Sequence, residues 1–431
     1  MPHRVHWIQA CIHRCRNENS FYAAGRPPCS TIAQLLISIN ATPRPAGEIG
    51  AALLGCPNID HVRKQRKIGV VRHFPAEPID TYHLVSPVTF VPLMTGAQAW
   101  FAFAVCLILI GSAGTVLSRN GDAIAVKTGL TGGWVGLVLV AVVTSLPELV
   151  TGISAVTIAG TPDTAVGDVF GSCVFNLAIL IVLDFVERGE SVYRRVRQGH
   201  ILSAGFGIIL IGFSGMSLAV HGQGIPFSYL GIGIYTPIIF VFYGLGARAV
   251  FQYERDHREP SGESIEDRHA GITLYAAIRS YALASVVVIA ASTALPFVAV
   301  ALATTVGWQQ TFVGTMFVAT VTSLPELVVS VVAVRIDAVD MAMANLLGSN
   351  MFNMLILGID DLLYRKGPIL YHVSPVHIVS SLSAVVMSGL LIAGILYRPQ
   401  RRLFRTVGWV SFGLFAIYLM NSYVLYLHGT Y

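Results

Sequence analysis

From about Trp100 to the C-terminus the chain alternates long apolar stretches with short polar or basic connections. A stretch of about 18 or more residues with few charges reads as a membrane-spanning helix. The pattern predicts ten of them, over 97–116, 129–158, 163–184, 201–221, 226–247, 272–301, 309–334, 339–362, 374–396 and 404–426. Residues 248–271, with FQYERDHREPSGESIEDRHA in their middle, form the one long polar connection and leave five helices on either side. The expected organisation is a first five-helix repeat over 94–247, a linker over 248–271 and a second five-helix repeat over 272–431. Residues 1–93 do not share this pattern. Their longest apolar runs, Ile32–Ile39 and Ala51–Gly55, are too short to span, and no signal-peptide order is visible. They are expected to be a poorly ordered extension, or to lie upstream of a natural start at Met94.

Composition points the same way. Only 12% of residues are charged and 54% are hydrophobic, where a soluble domain carries about 25% charged residues. The fold class is therefore an all-α polytopic membrane protein. The net charge of +5 concerns topology rather than nucleic acid, because the basic residues sit mostly in connections and the tail. Fifteen of them, among them Arg194, Arg195, Arg197, Arg255 and Arg401, follow the odd-numbered helices; the opposite loops hold Arg365 and Lys366. The excess marks the cytoplasmic side. It puts the 248–271 linker in the cytoplasm of a cell-membrane protein and its C-terminus outside. Cys11, Cys15 and Cys29, with His6 and His13, lack the spacing of a metal knuckle.

The two halves repeat one another. Leu137–Val156 laid over Thr315–Val334 is identical at 12 of 20 positions, including TSLPELV at Thr144–Val150 and Thr322–Val328. GSCVFNLAIL (Gly171–Leu180) over GSNMFNMLIL (Gly348–Leu357) is identical at 6 of 10. Chance likeness between oily segments would match Leu and Val, not Thr, Ser, Pro, Glu, Gly and Asn in order. Five helices per half is an odd number, so the second copy enters the membrane from the opposite side. Inverted repeats around a midplane site are a recurring plan of secondary transporters.

The repeated residues are an oxygen set. Thr144, Ser145 and Glu148 fall at spacings that share a helix face, as do Thr322, Ser323 and Glu326. Pro147 and Pro325 each remove a helix donor, which is expected to release carbonyls such as those of Ala141 and Ala319 toward a cation. Ser172 and Asn176 on the next helix, and Ser349 and Asn353 in the other half, add hydroxyls and amides. A carboxylate inside the membrane is costly and marks a functional site by default. Oxygen ligands suit hard cations such as Ca2+ and Na+, and no His, Cys or Met stands beside the glutamates to favour a softer metal. Two carboxylates can neutralise one Ca2+ or two monovalent ions.

At these residues the sequence resembles the calcium/cation antiporter superfamily, specifically its sodium/calcium exchanger membrane region. The family carries G-T-S-x-P-E/D on one helix and G-S-N-x-x-N on the next. Here the corresponding stretches are Val143–Glu148 and Val321–Glu326, then Gly171–Asn176 and Gly348–Asn353. The resemblance covers about 95–427. It implies a secondary antiporter that exports Ca2+ in exchange for Na+ by alternating access, the first and sixth helices sliding against the rest. The ligand set it implies is Ala141, Thr144, Ser145, Glu148, Ser172, Asn176, Ala319, Thr322, Ser323, Glu326, Ser349 and Asn353. Four departures stand out. Val143 and Val321 replace glycines, Cys173 replaces an asparagine, Asp168 stands opposite Asn345, and Asn353 is an amide where some members have aspartate. They leave Ca2+/H+ or other cation antiport open beside Na+ coupling. A channel would need an open lined pore. An enzyme would need a nucleophile and base that the helices around the glutamates do not supply, so neither catalysis nor a cofactor is expected. The expected surroundings are membrane lipid and transported cations, the chain acting as a monomer.

Overall fold

The computed structural model describes residues 94–128, 143–187, 190–221, 228–229, 231–257, 271–398, 402–403 and 407–428. The N-terminal extension to residue 93, Ala141 and most of the linker lie outside these residues. In chain order the helices are α1 (Gly96–Lys127), α2 (Leu146–Ser154, continued by a π-helical turn to Ala159), α3 (Pro162–Val186), α4 (Val192–Arg195), α5 (His200–His221) and α6 (Tyr235–Asp256). The second half has α7 (Leu274–Val306), α8 (Gln310–Val313), a π-helical turn (Gly314–Val318), α9 (Ala319–Thr322), α10 (Leu324–Arg335), α11 (Val339–Leu363), α12 (His377–Tyr397) and α13 (Trp409–His428).

Among the described residues, seven helices are long and apolar enough to cross a membrane, eight if the pair Gln310–Thr322 and Leu324–Arg335 is one span bent by 45°. The expected ten differ from this at two places. Residues 129–142 lie outside the described chain, leaving Leu146–Ala159 as a shorter apolar helix. The helix α6 begins later than expected and ends on YERD, so tyrosines, Arg248 and Gln252 dilute its hydropathy. Its late start has a local cause. Ser228–Tyr229 and Ile232–Gly233 pair as a small antiparallel hairpin (β1–β2) with Gly231 at φ 81°, a left-handed turn that glycine adopts without strain. A second hairpin, Arg402–Leu403 with Val407–Gly408 (β3–β4), delays α13 in the same way.

Two of the apolar clusters among the described residues hold most of the bundle. One joins α3, α5, α11 and α12 through residues such as Phe170, Leu180, Ile211, Leu357 and Met387. The other joins α1 and α7 to α8 and the π turn through Ile110, Leu295, Leu302, Val313 and Val318. Phe101, Leu283 and Val286 on α1 and α7 are exposed, as a lipid-facing surface requires. Since lipid is as apolar as these side chains, close packing and interhelical hydrogen bonds hold such helices together.

Those hydrogen bonds come in pairs with the halves exchanged. Asp163 at the start of α3 meets His377 Nε2 (3.1 Å) and the Ser374 N–H (2.7 Å), while Asp340 at the start of α11 meets His200 Nε2 (3.1 Å) and the Arg197 N–H (2.9 Å). At the other ends of the same helices, Asp184 accepts from the Gly408 N–H and Ser411, both at 2.8 Å, and from Ser191 at 2.8 Å. Asp361 accepts from the Gly233 N–H (2.9 Å), Tyr235 and Thr236 (both 2.5 Å) and the Ile369 N–H (2.7 Å). Each carboxylate thus ties the end of its helix to the hairpin and helix of the opposite half.

Candidate functional site

The helix that carries each glutamate is interrupted one turn before it. Ser145 (φ −86°, ψ 14°) and Ser323 (φ −87°, ψ 11°) share one non-helical conformation, each followed by Leu-Pro-Glu at the start of a new helix. Proline suits the first turn of a helix because its missing N–H has no partner there in any case. The repeated proline therefore starts a second helix after a break, rather than kinking a continuous one. The Ala319 carbonyl is not released as expected. It accepts from the Ser323 N–H (3.1 Å) and from Thr322 Oγ1 (3.2 Å).

The breaks place the two glutamates in each other's half. Ser145 Oγ donates to Glu326 Oε1 at 3.0 Å, and Ser323 Oγ donates to Glu148 Oε1 at 2.9 Å. Ser349 also reaches Glu326 Oε1 (3.3 Å), and Ser323 meets Ser172 Oγ (3.0 Å). Glu148 and Glu326 are buried to 1% and 0% exposure. The remaining oxygen of each, Oε2, has no hydrogen-bond partner in the protein, and neither has Oδ1 of Asn176 or of Asn353. An unsatisfied buried acceptor costs about 1–3 kcal/mol. Buried acceptors of this kind are what a desolvated cation would satisfy. Among the described residues no three His, Cys, Asp or Glu side chains gather closely enough to hold one metal, so an ion here would need neutral oxygens beside carboxylate.

The amide side chains follow the same exchange. Asn176 Nδ2 donates to Asn350 Oδ1 (3.1 Å), and Asn353 Nδ2 points at Cys173 Sγ (3.9 Å), Cys173 being the repeat mate of Asn350. Behind the glutamates lies a second layer. Thr322 Oγ1 donates to Asp168 Oδ1 (2.8 Å), and Thr144 Oγ1 to Asn345 Oδ1 (3.3 Å). Of the predicted residues, Ser145, Glu148, Ser172, Ser323, Glu326 and Ser349 thus share hydrogen bonds around the two carboxylates. Thr144 reaches Glu326 as well as the second layer, Thr322 turns to the second layer, and Asn176 and Asn353 keep free oxygens. Sequence reasoning noted Asp168 only as a mismatch with Asn345. Its signal was available, as a second carboxylate on the helix that carries Ser172.

Two close approaches set the depth of the site. A Cβ on Gly171 would lie 2.4 Å from the Thr315 carbonyl oxygen and 2.7 Å from Ala319 Cβ, so α3 rests directly on the π turn. A Cβ on Gly114 would lie 2.4 Å from Pro325 Cγ, so α1 rests on the second break. The α1–α7 cluster therefore touches the site through a small-residue contact.

A helical membrane bundle with oxygen-rich helix breaks at its centre is the architecture of an ion transporter. A family model described as sodium/calcium exchanger protein matches residues 98–245 and again 277–424, and the chain belongs to that family. The inner membrane protein YrbG of Escherichia coli (strain K12) is 24% identical over 294 residues, covering 68% of this chain and 86% of its own. Among solved structures, the H+/Ca2+ exchanger CAX has a TM-score of 0.57 at 14% identity, covering 77% of this chain and 85% of its own. The sodium-calcium exchanger NCX_Mj has a TM-score of 0.50 at 19% identity, covering 76% and 98%.

Proposed function

We propose that this protein is a secondary active antiporter that exports Ca2+ in exchange for Na+ by alternating access. The observation that carries the reading is the reciprocal pair Ser145–Glu326 and Ser323–Glu148, buried, with one oxygen of each glutamate left without a protein partner. Ca2+ takes six to eight oxygen ligands. The set offered to it is Glu148, Glu326, Ser145, Ser323, Ser172, Ser349, Asn176 and Asn353, with Thr144, Thr322 and the Ala141 and Ala319 carbonyls at the margin. The paired contacts with halves exchanged support two inverted five-helix repeats, ten spans in all, and the basic loops support a cytoplasmic linker with the C-terminus outside. The separate α1–α7 cluster is suited to slide over the breaks while the rest stays fixed, opening the site to one side and then the other.

The test is flux in vesicles reconstituted with the full chain, Na+ and pH gradients being imposed separately. Uptake of radioactive Ca2+ should follow an outward Na+ gradient at constant pH. Uptake driven by the pH gradient alone would make H+ the coupling ion. Uptake that needs neither gradient and does not saturate would indicate a channel and overturn the reading.

A further inference from the structure

The two halves differ at a buried pair on α3 and α11, Asp168 and Asn345. Asn345 is fully engaged, its Oδ1 accepting from Thr144 (3.3 Å) and its Nδ2 donating to Ser330 Oγ (3.2 Å). Its repeat mate Asp168 is equally buried, at 0% exposure, but only Oδ1 is used. That atom accepts from Thr322 Oγ1 (2.8 Å) and, weakly, from Ser172 Oγ (3.5 Å). Asp168 Oδ2 has no partner, and among the described residues Asp168 makes no ion pair. Both of its hydroxyl partners lie beside the glutamate centre. Ser172 bonds Ser323, which bonds Glu148 (2.9 Å), and Thr322 is the residue before Ser323.

We propose that Asp168 is a ligand for a monovalent hard cation, Na+ in the first instance, held beside the glutamate pair and on one side of the site only. This deepens the proposed function and rests on that reading. One carboxylate with two hydroxyls balances a single positive charge, whereas Ca2+ asks for more oxygens and more charge than Asp168 can offer. Its hydroxyl partners Thr322 and Ser172 stand beside Ser323, which bonds Glu148, so this ion sits next to the glutamate pair. A carboxylate at this depth without a counter-charge is expensive, and a visiting cation removes that cost. The amide at Asn345 carries no charge and has no free atom to offer, so the mate position lacks this function.

The experiment is displacement of radioactive Ca2+ by Na+ from the purified full chain in lipid nanodiscs. In Asp168→Asn the Na+ concentration that displaces half of the Ca2+ should rise roughly tenfold or more, the effect of losing one charged ligand. Ca2+ affinity without Na+ should change far less. An unchanged Na+ displacement curve in a folded Asp168→Asn protein overturns the proposal. A wild-type arm covers a variant that fails to fold: Na+ should protect Asp168 from carbodiimide modification, read by mass spectrometry, and equal modification with and without Na+ also overturns it. Glu148→Gln separates the two readings. If it abolishes Ca2+ binding while Asp168→Asn leaves Na+ competition intact, only the Asp168 assignment fails. If the wild type binds no Ca2+, the antiport reading fails, and the carbodiimide arm still decides the Na+ ligand.

Discussion

Ser145 donates its hydroxyl to Glu326, 181 positions away, and not to Glu148 three residues on in its own segment. The partner is chosen across the halves, so the energetic coupling should run across them too. Ser145→Ala combined with Glu326→Gln should show a coupling of about 1 kcal/mol in the stability of the ion-free protein, while Ser145→Ala combined with Glu148→Gln should be nearer to additive. A double-mutant cycle on purified protein measures both. The reverse order of couplings would mean that each half builds its own site.

Glu148→Gln and Glu326→Gln keep shape and remove charge. Each should abolish Ca2+ binding and exchange, since an amide oxygen presents a weaker field to a divalent ion than a carboxylate. Each variant should remain folded, because only one oxygen of either glutamate is used by the protein. Isothermal binding and a melting curve on the same sample check this. Normal affinity in either variant would remove that glutamate from the site.

Gly114 separates binding from movement. With a Cβ 2.4 Å from Pro325 Cγ, Gly114→Ala must push α1 away from the second break, a change of the kind that costs about 1–3 kcal/mol when packing is tight. Turnover in vesicles should fall at least several-fold, while Ca2+ affinity in detergent should stay close to that of the wild type. Equal loss of both would place α1 in the binding shell.

Asp361→Asn and Asp184→Asn should behave in the opposite sense. Asp361 accepts from Gly233, Tyr235, Thr236 and Ile369, and an amide nitrogen set among donors would leave several unpaired. Losing a hydrogen bond to a charged group costs about 1.5–3 kcal/mol. Melting temperature should therefore drop more in these variants than in the two glutamine variants. Where folded protein is recovered, Ca2+ affinity should be nearly normal.

Orientation is checked with a cysteine introduced at Ser264, in a chain whose Cys11, Cys15, Cys29 and Cys56 are replaced, Cys106 and Cys173 being buried. It should resist an impermeant thiol reagent in intact cells and react after lysis. Rapid labelling of intact cells would invert the topology.

The sequence by itself determined the membrane class, the two related halves and the residues at their centre. A carboxylate in an apolar run is so costly that Glu148 and Glu326 announce themselves, and repetition of Thr, Ser, Pro, Glu and Asn in order cannot arise from hydrophobicity alone. Helix spacing also suggested that Ser145 and Glu148 share a face, and there the tertiary structure decided otherwise. The chain breaks at Ser145 and Ser323, and where the broken helices meet fixes which glutamate each serine reaches, a distance of well over a hundred residues along the chain. The same holds for the hairpins that delay the start of α6 and α13. Their residues are apolar enough to pass for helix, and only Asp361 and Asp184, arriving from the opposite half, take up the Gly233 and Gly408 N–H groups that end the pairing. Asp168 was visible in sequence only as an odd letter opposite Asn345. Its free oxygen beside the glutamates exists because Thr322 and Ser172 hold one side of the carboxylate and leave the other unclaimed. Periodicity reports which residues leave the oil, and long-range packing decides what they then face.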